Sequence, residues 1–346
     1  MKLGLLIDYR MKHLSIDMEP ILEAERLGFD SVWLSEAWGA DVVAPGSWIL
    51  SQTSKIKFGT AIMQIPARAP ACAAMTTMTL DQLSGGRFIL GLGPSGPQVS
   101  EGWYGQAFGK PIEKTKEYIS IIRQILAREQ PAVHEGAHYQ LPYQGPGASG
   151  LGKPLKSILH GRADQTIYSA SFTPGGLRAA AEVADGVIPV WMNPDRFDLL
   201  EQDLNKGFAK TGGSRSLDNF DVCPFVFAAV GDDLDKCRLP IKQMLALYIG
   251  GMGARNKNFY NDYAKRLGYE EAAVNIQNLY LGGKQAEAVM AVPDQLVDDL
   301  NLVGPPERIR ERLQAWKKAA SARQVDTMIV NCADSTTMRV LAQECL

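Results

Sequence analysis

The sequence predicts a (β/α)8 barrel with insertions, and three observations predict it. Short, near-continuous apolar runs recur along the 346 residues, as strands buried on both faces require. Segments with apolar residues at helical spacing separate them, so that consecutive strands run parallel with helices as crossovers. The strand–helix units number eight, which closes a barrel rather than leaving an open sheet.

The elements follow in order. KLGLLI at 2–7 is the first strand, and Ile16–Leu27 carries a helical period stopped by Gly28. DSVWLSE (30–36) and IKFGTAIM (56–63) are the second and third strands, β-branched or aromatic and bounded by turn residues. Pro70–Leu83 is a helix closed by Ser84-Gly85-Gly86, and RFILGLG (87–93) is the fourth strand. Ile112–Glu129 is an amphipathic helix with Tyr118, Ile122, Ile125 and Leu126 on one face. Residues 130–162 are rich in glycine and proline with no clean period and read as an excursion from the scaffold. QTIYSA (165–170) is the fifth strand, Pro174–Ala184 a helix, and GVIPVW (186–191) the sixth strand. FDVCPFVFAAV (220–230) is the seventh, followed by a helix through Leu247 and a helix-rich insertion at 250–300. Pro305–Ala319 is a helix with proline in its first turn, and VDTMIVNC (325–332) is the eighth strand. With no repeats, low-complexity tracts or linkers, the chain reads as one domain over 1–346.

A net charge of −2 and 46% hydrophobic residues argue against a nucleic-acid or membrane-surface protein. Five cysteines without C-x-x-C spacing read as reduced thiols of a cytoplasmic protein. Only four histidines are present (His13, His134, His138, His160), each expected to be exposed, and no metal site is expected. The opening apolar run is too short for a signal peptide, and no run approaches a membrane span.

Barrel sites lie at the C-terminal ends of the strands. Those ends read Asp8-Tyr9-Arg10, Ser35–Trp38, Ala61–Gln64, Gly91–Gln98, Ser169–Gly176, Trp191–Asn193 and Asn331-Cys332. They are rich in glycine, aromatic and small polar residues, with no Ser-His-Asp set, no H-E-x-x-H and no metal-type carboxylate cluster. Such a mouth suits a cofactor that carries the chemistry itself. Gly91-Leu-Gly93-Pro-Ser-Gly96 is a literal G-x-G-x-x-G, but Pro97 and Gly102-Trp103-Tyr104-Gly105 read as a loop where a dinucleotide fold needs a helix. An NAD enzyme therefore ranks last. Ser169–Gly176 leads into a helix with Thr173 as N-cap and Pro174 at N1, and free N–H groups there suit a phosphate. From the residues alone Glu36 reads as a cap of the following helix or a partner of Arg68.

SEAWG (35–39), GTAIMQIPARAP (59–70), LDQLSGGRFILGLGPSGPQVSEGWYG (80–105), ALYIGGMGA (246–254) and PDQLVDDLNLVGPPERIRERLQAW (293–316) together resemble the bacterial luciferase-like superfamily. Within it they resemble the branch that uses the 8-hydroxy-5-deazaflavin coenzyme F420. The resemblance implies a TIM barrel, commonly a homodimer, that moves a hydride between C5 of the deazaflavin and a small substrate with a C=O, C=C or C=N bond. It implies a cis peptide at Ala61–Ile62, forming a bulge behind the ring, with Gln64 beside it and Glu36 near the ring. Gly91, Gly93 and Gly96 would make room for the cofactor, while Ser95 and Gln98 offer hydrogen bonds. Ala170, Ser171, Thr173, Gly175 and Gly176 would hold its phosphate, although relatives usually carry glycine where Thr173 stands. Tyr104 is a candidate proton donor and His13 a lesser one. Trp38, Trp103, Phe172, Trp191 and Met252 are candidates for the substrate wall. Members that oxidise sugar phosphates carry a histidine where this chain has Ala37, which argues against that activity. The alternatives are an FMN-dependent monooxygenase of the same fold and a non-catalytic binding relative.

Overall fold

The computed structural model describes residues 1–7, 12–332 and 334–346. Eight parallel strands form at Lys2–Ile7, Ser31–Leu34, Lys57–Thr60, Phe88–Gly93, Ile167–Ala170, Gly186–Ile188, Phe225–Val230 and Thr327–Cys332. The first six pair in chain order, the eighth pairs with the first, and the seventh with the eighth. Closure is made by the seventh strand, which is bonded to the sixth along one edge and to the eighth along the other, with a short parallel strand, Leu302–Gly304, paired to its end. Its leading segment Asp221–Val222 pairs with the sixth strand, and Cys223 N donates to Val187 O at 2.9 Å. On the other edge Asp326 N donates to Val222 O and Ile329 N of the eighth strand to Pro224 O, each at 2.9 Å. Pro224, which has no N–H to give, breaks the ladder for one residue, and Phe225 N beyond it donates to Pro189 O at 3.2 Å.

Large side chains fill the barrel. Trp33 and Tyr168 stack with ring centroids 6.1 Å apart, packed by Ala61, Ile89, Ile188, Cys223 and Ile329. A Cβ on Gly59 would lie 2.2 Å from the Trp33 ring, so a side chain there would displace the indole. Outside the strands, Leu3, Val32, Phe58, Leu90 and Val330 bury against the surrounding helices. Each such burial contributes about 1.5–3 kcal/mol.

Helices at Met18–Leu27, Pro70–Ser84, Pro111–Ala127, Pro174–Val183, Leu234–Ala246 and Pro306–Ser321 match the sequence periods within a few residues. Gly28 and Gly85 end the first two in the left-handed conformation, with φ of 91° and 68°. Helices at Val43–Gln52, Asp198–Phe208 and Ser335–Cys345 were not evident from periodicity. The first has Pro45 in its first turn, where proline is tolerated, and Gly46, a poor helix former, yet it buries Ile49 and Leu50. Its Gly46 lies so close to Phe58 that a Cβ would sit 2.4 Å from the ring. Tertiary packing makes that helix.

The excursion at 130–162 contains an antiparallel pair, His134–Glu135 with Gln140–Leu141. His160 is exposed as expected, but His134 and His138 are not; both are half-buried. Their cover is the helix Pro111–Ala127, whose Glu117 carboxylate accepts the backbone N–H of Ala137, His138 and Tyr139, each at 3.0 Å, and faces His134 Nε2 at 3.3 Å. Burial pushes the Glu117 carboxyl up, but these donors outweigh it and leave it below its usual value. A carboxyl depressed in the folded state adds stability above its unfolded pKa and loses it as pH falls through the folded one. Amide exchange at 134–141 is therefore expected to quicken between pH 5 and pH 3 relative to the barrel strands. Glu117→Gln, which cannot ionise, should abolish that difference; an unchanged difference would sever the hairpin from Glu117.

The insertion at 250–300 holds helices at Phe259–Arg266, Glu270–Leu281, Gln285–Met290 and Asp294–Leu300. They share a core of Ile249, Tyr263, Ile276, Leu296 and Leu300, which Trp191 of the barrel joins. No helix among the described residues is long and apolar enough to cross a membrane.

Candidate active site

The ends of the second and third strands lock together. The Ala61–Ile62 peptide is cis, and the second strand bonds each side of it. Ser35 Oγ donates to Ala61 O at 2.7 Å, Glu36 N donates to Ile62 O at 3.1 Å, and Ala61 N donates to Leu34 O at 2.8 Å. The chain then rejoins the sheet at Met63–Gln64, beside the fourth strand.

Glu36 fastens this bulge from behind. Its carboxylate accepts Gln64 N at 2.8 Å and Val42 N at 3.2 Å, and takes both Arg68 guanidinium nitrogens, at 2.7 and 2.8 Å. The residue is 5% exposed. Both oxygens are engaged by charge-assisted or backbone donors, so the carboxylate serves as an anchor. Of the two residue readings of Glu36, the pairing with Arg68 describes these contacts; the first N–H groups of the next helix, those of Val43 and Ala44, go instead to Asp41 Oδ1 at 2.8 and 3.0 Å. Ser35 was missed, because a serine at a strand end gives no periodic signal.

The glycines of the fourth strand serve the bulge. A Cβ on Gly91 would stand 1.9 Å from Thr60 O, and one on Gly93 2.3 Å from Ile62 Cδ1. Both residues are buried. The space they leave is filled by Thr60 and Ile62. Gly96 differs, since the nearest atom to its would-be Cβ is Gln98 Oε1 at 3.2 Å. One correction concerns Pro97–Gly102, which is a short helix rather than a loop. Beyond it, Tyr104 Oη donates to Gln64 Oε1 at 2.8 Å, and Gln64 Nε2 donates to Ser95 Oγ at 2.6 Å. Gln98 is exposed.

At the fifth strand end Thr173 caps the helix Pro174–Val183, its hydroxyl accepting Gly176 N at 3.3 Å, and Thr173 N donates to Ser171 Oγ at 3.3 Å. Ala170, Ser171, Gly175 and Gly176 are half-buried around this turn. Arg266, not singled out by the sequence, reaches from the insertion to Phe172 O at 3.4 Å and Leu199 O at 2.7 Å. Aromatic rings join the two regions. Phe172 lies 5.0 Å from Tyr260 and 5.4 Å from Tyr263, while Trp191 lies 5.3 Å from Tyr260 and 5.8 Å from Tyr248.

Trp191 is 2% exposed, whereas Trp38 and Trp103 are 57% and 62% exposed. Met252 is half-buried and His13 exposed. The strand end Asp8-Tyr9-Arg10 lies outside the described residues. Among the described residues four that are not glycine have positive φ. Arg128 and Arg323 follow helix ends, but Ser95 (60°) and Trp191 (56°) stand at strand ends on the mouth. Residues held in this region cluster at functional sites.

Residues 15–323 match the family model described as luciferase-like monooxygenase. The chain belongs to this family. Among relatives of the luciferase-like family, it is 42% identical over 344 residues to a Mycobacterium tuberculosis protein provisionally named a coenzyme F420-dependent oxidoreductase, covering 99% of this chain and 98% of that one. It is 28% identical over 331 residues to the 5,10-methylenetetrahydromethanopterin reductase of Archaeoglobus fulgidus, covering 94% and 92%. In three dimensions it superposes on the coenzyme F420-dependent tetrahydromethanopterin reductase from Methanopyrus kandleri with a TM-score of 0.78 at 22% identity, covering 99% and 97%. That likeness shows the fold, the barrel of luciferase-like enzymes.

Proposed function

We propose that this protein is an F420-dependent oxidoreductase acting on a small organic substrate with a C=O, C=C or C=N bond. The observation that carries the reading is the clamped Ala61–Ile62 bulge. Ser35, Glu36, Arg68, Gly91 and Gly93 are all committed to holding one stretch of backbone at the barrel mouth, which suits a platform for a flat ring. The 42% identical relative, named for the same cofactor, supports the choice.

The residues present fit F420. The capped turn Ser171–Gly176 would hold its phosphodiester at the helix N-terminus, where Gly175 offers the first-turn N–H not taken by Thr173. When bound, the deazaflavin supplies a two-electron hydride carrier at C5. The protein's part is to orient and enclose: the bulge backs the ring, while Phe172, Trp38, Trp103 and Met252 shape apolar space for the substrate. The reading extends to a single catalytic domain working in the cytoplasm as a homodimer, for which light scattering should return twice the chain mass.

Titration of the purified protein with F420 and with FMN tests the proposal. F420 is expected to bind at least about tenfold more tightly, a difference of about 1.4 kcal/mol. Tighter binding of FMN would replace the reading with a monooxygenase of the same fold. Binding of neither would make the protein a non-catalytic relative.

A further inference from the structure

The hydrogen bonds at the fourth strand end have a direction. Tyr104 Oη donates to Gln64 Oε1, and Gln64 Nε2 donates to Ser95 Oγ. A primary amide offers an acceptor at one end and donors at the other. Placed between two hydroxyls, it takes the proton of one and gives a hydrogen to the second. Tyr104 is the hydroxyl whose proton is taken. Ser95 has its oxygen occupied and its own proton left over.

Gln64 is held firmly enough to keep this order. It is 2% exposed, and its backbone N–H is bonded to Glu36 at 2.8 Å. Burial pushes the Tyr104 phenol up, Glu36 and Asp41 add to that, and Arg68 opposes it, so the tyrosine keeps its proton at neutral pH. Ser95 is half-buried, on the mouth, and held at a φ of 60°.

We propose that Gln64 is a positioning residue that sets the polarity of this chain, so that Ser95 rather than Tyr104 presents its hydroxyl proton to an acceptor oxygen of the bound ligand. The proposal rests on the F420 reading of the mouth. The acceptor is a carbonyl oxygen, of the cofactor ring or of the substrate.

Gln64→Glu makes the polarity measurable. An ionised carboxylate only accepts, so Tyr104 and Ser95 would both turn their protons inward. A protonated carboxyl has one donor and one acceptor again, as the amide does. The charged groups around this position, Glu36, Arg68 and Asp41, are shared with the wild type, so each affinity is read as a ratio to the wild type at the same pH. F420 fluorescence titration at pH 8 should show Gln64→Glu and Ser95→Ala each about tenfold weaker, the effect of one hydrogen bond. The double variant should be no weaker than Ser95→Ala alone. Below the pH at which the introduced carboxyl takes up its proton, followed by its infrared carboxyl band, Gln64→Glu should recover and Ser95→Ala should not.

If F420 affinity is unchanged but KM for the substrate rises about tenfold in both variants, the acceptor belongs to the substrate and the inference stands. A deficit in Gln64→Glu that is equal with the carboxyl ionised and protonated overturns it, as does a Ser95→Ala variant unchanged in both affinities. Should Gln64→Glu fail to fold, Ser95→Ala against Tyr104→Phe decides: loss in the tyrosine variant with none in the serine variant overturns the assignment. A wild type that binds no F420 overturns the cofactor reading instead, and this inference with it.

Discussion

Gly91→Ala is expected to lower the unfolding free energy by about 3 kcal/mol, at the upper end of ordinary overpacking. The added Cβ would stand 1.9 Å from Thr60 O and 3.0 Å from Ile188 Cδ1. A side-chain tip could swing away, but a backbone carbonyl cannot. Thr60 is tied to the same glycine twice, its hydroxyl donating to Gly91 O at 2.7 Å and accepting Gly91 N at 2.8 Å. Relief would require the third and fourth strands to separate where the bulge begins, so F420 binding should fall together with stability. Gly96→Ala is the matched control. Its φ of −102° suits any residue, and its nearest neighbour is the tip of exposed Gln98 at 3.2 Å, so a change within about 0.5 kcal/mol is expected. Urea unfolding of the two variants gives the comparison. Equal and small losses in both would mean that the bulge does not depend on that glycine.

Arg68→Ala is expected to cost about 3–5 kcal/mol, because it strips a buried carboxylate of its charged partner. The side chains of Arg68 and Glu36 are 14% and 2% exposed, so water cannot readily take the place of the guanidinium. Glu36 also bonds the backbone of Gln64 and Val42, and the loss should spread to both segments. Pairing Arg68→Met with Glu36→Gln should recover a large part of the stability, since the unpaired charge is then gone. A single variant that loses less than about 1 kcal/mol, the usual value of an exposed pair, would show that Glu36 is reached by solvent.

Both predictions concern contacts that join residues far apart in the chain, and these were the least legible in the sequence. Gly91 and Gly93 were visible as a spaced-glycine motif at a strand end, and that placement holds. What the glycines accommodate was not visible. It depends on Thr60 and Ile62, some thirty residues earlier, arriving from the neighbouring strand. Pro97–Gly102 was read as a loop because a proline opens it and a glycine closes it, yet a proline at the first helical position is compatible with a single turn. Trp191 was legible as a strand-end aromatic, but its burial depends on Tyr248 and Tyr260, which the insertion brings over it.

The sequence by itself determined the barrel. Strand and helix periods are written in neighbouring residues, and eight parallel crossovers admit few arrangements. It also determined where the mouth lies and that its residues are short of acid–base groups. Only the tertiary structure decided how the mouth is built: which backbone the glycines make way for, that the Glu36 carboxylate is spoken for by Arg68, and which way the hydrogen bonds run through Gln64. Periodicity reports a residue's own element. Close approach, ion pairing and hydrogen-bond direction are properties of pairs, and those pairs exist only once the strands have closed.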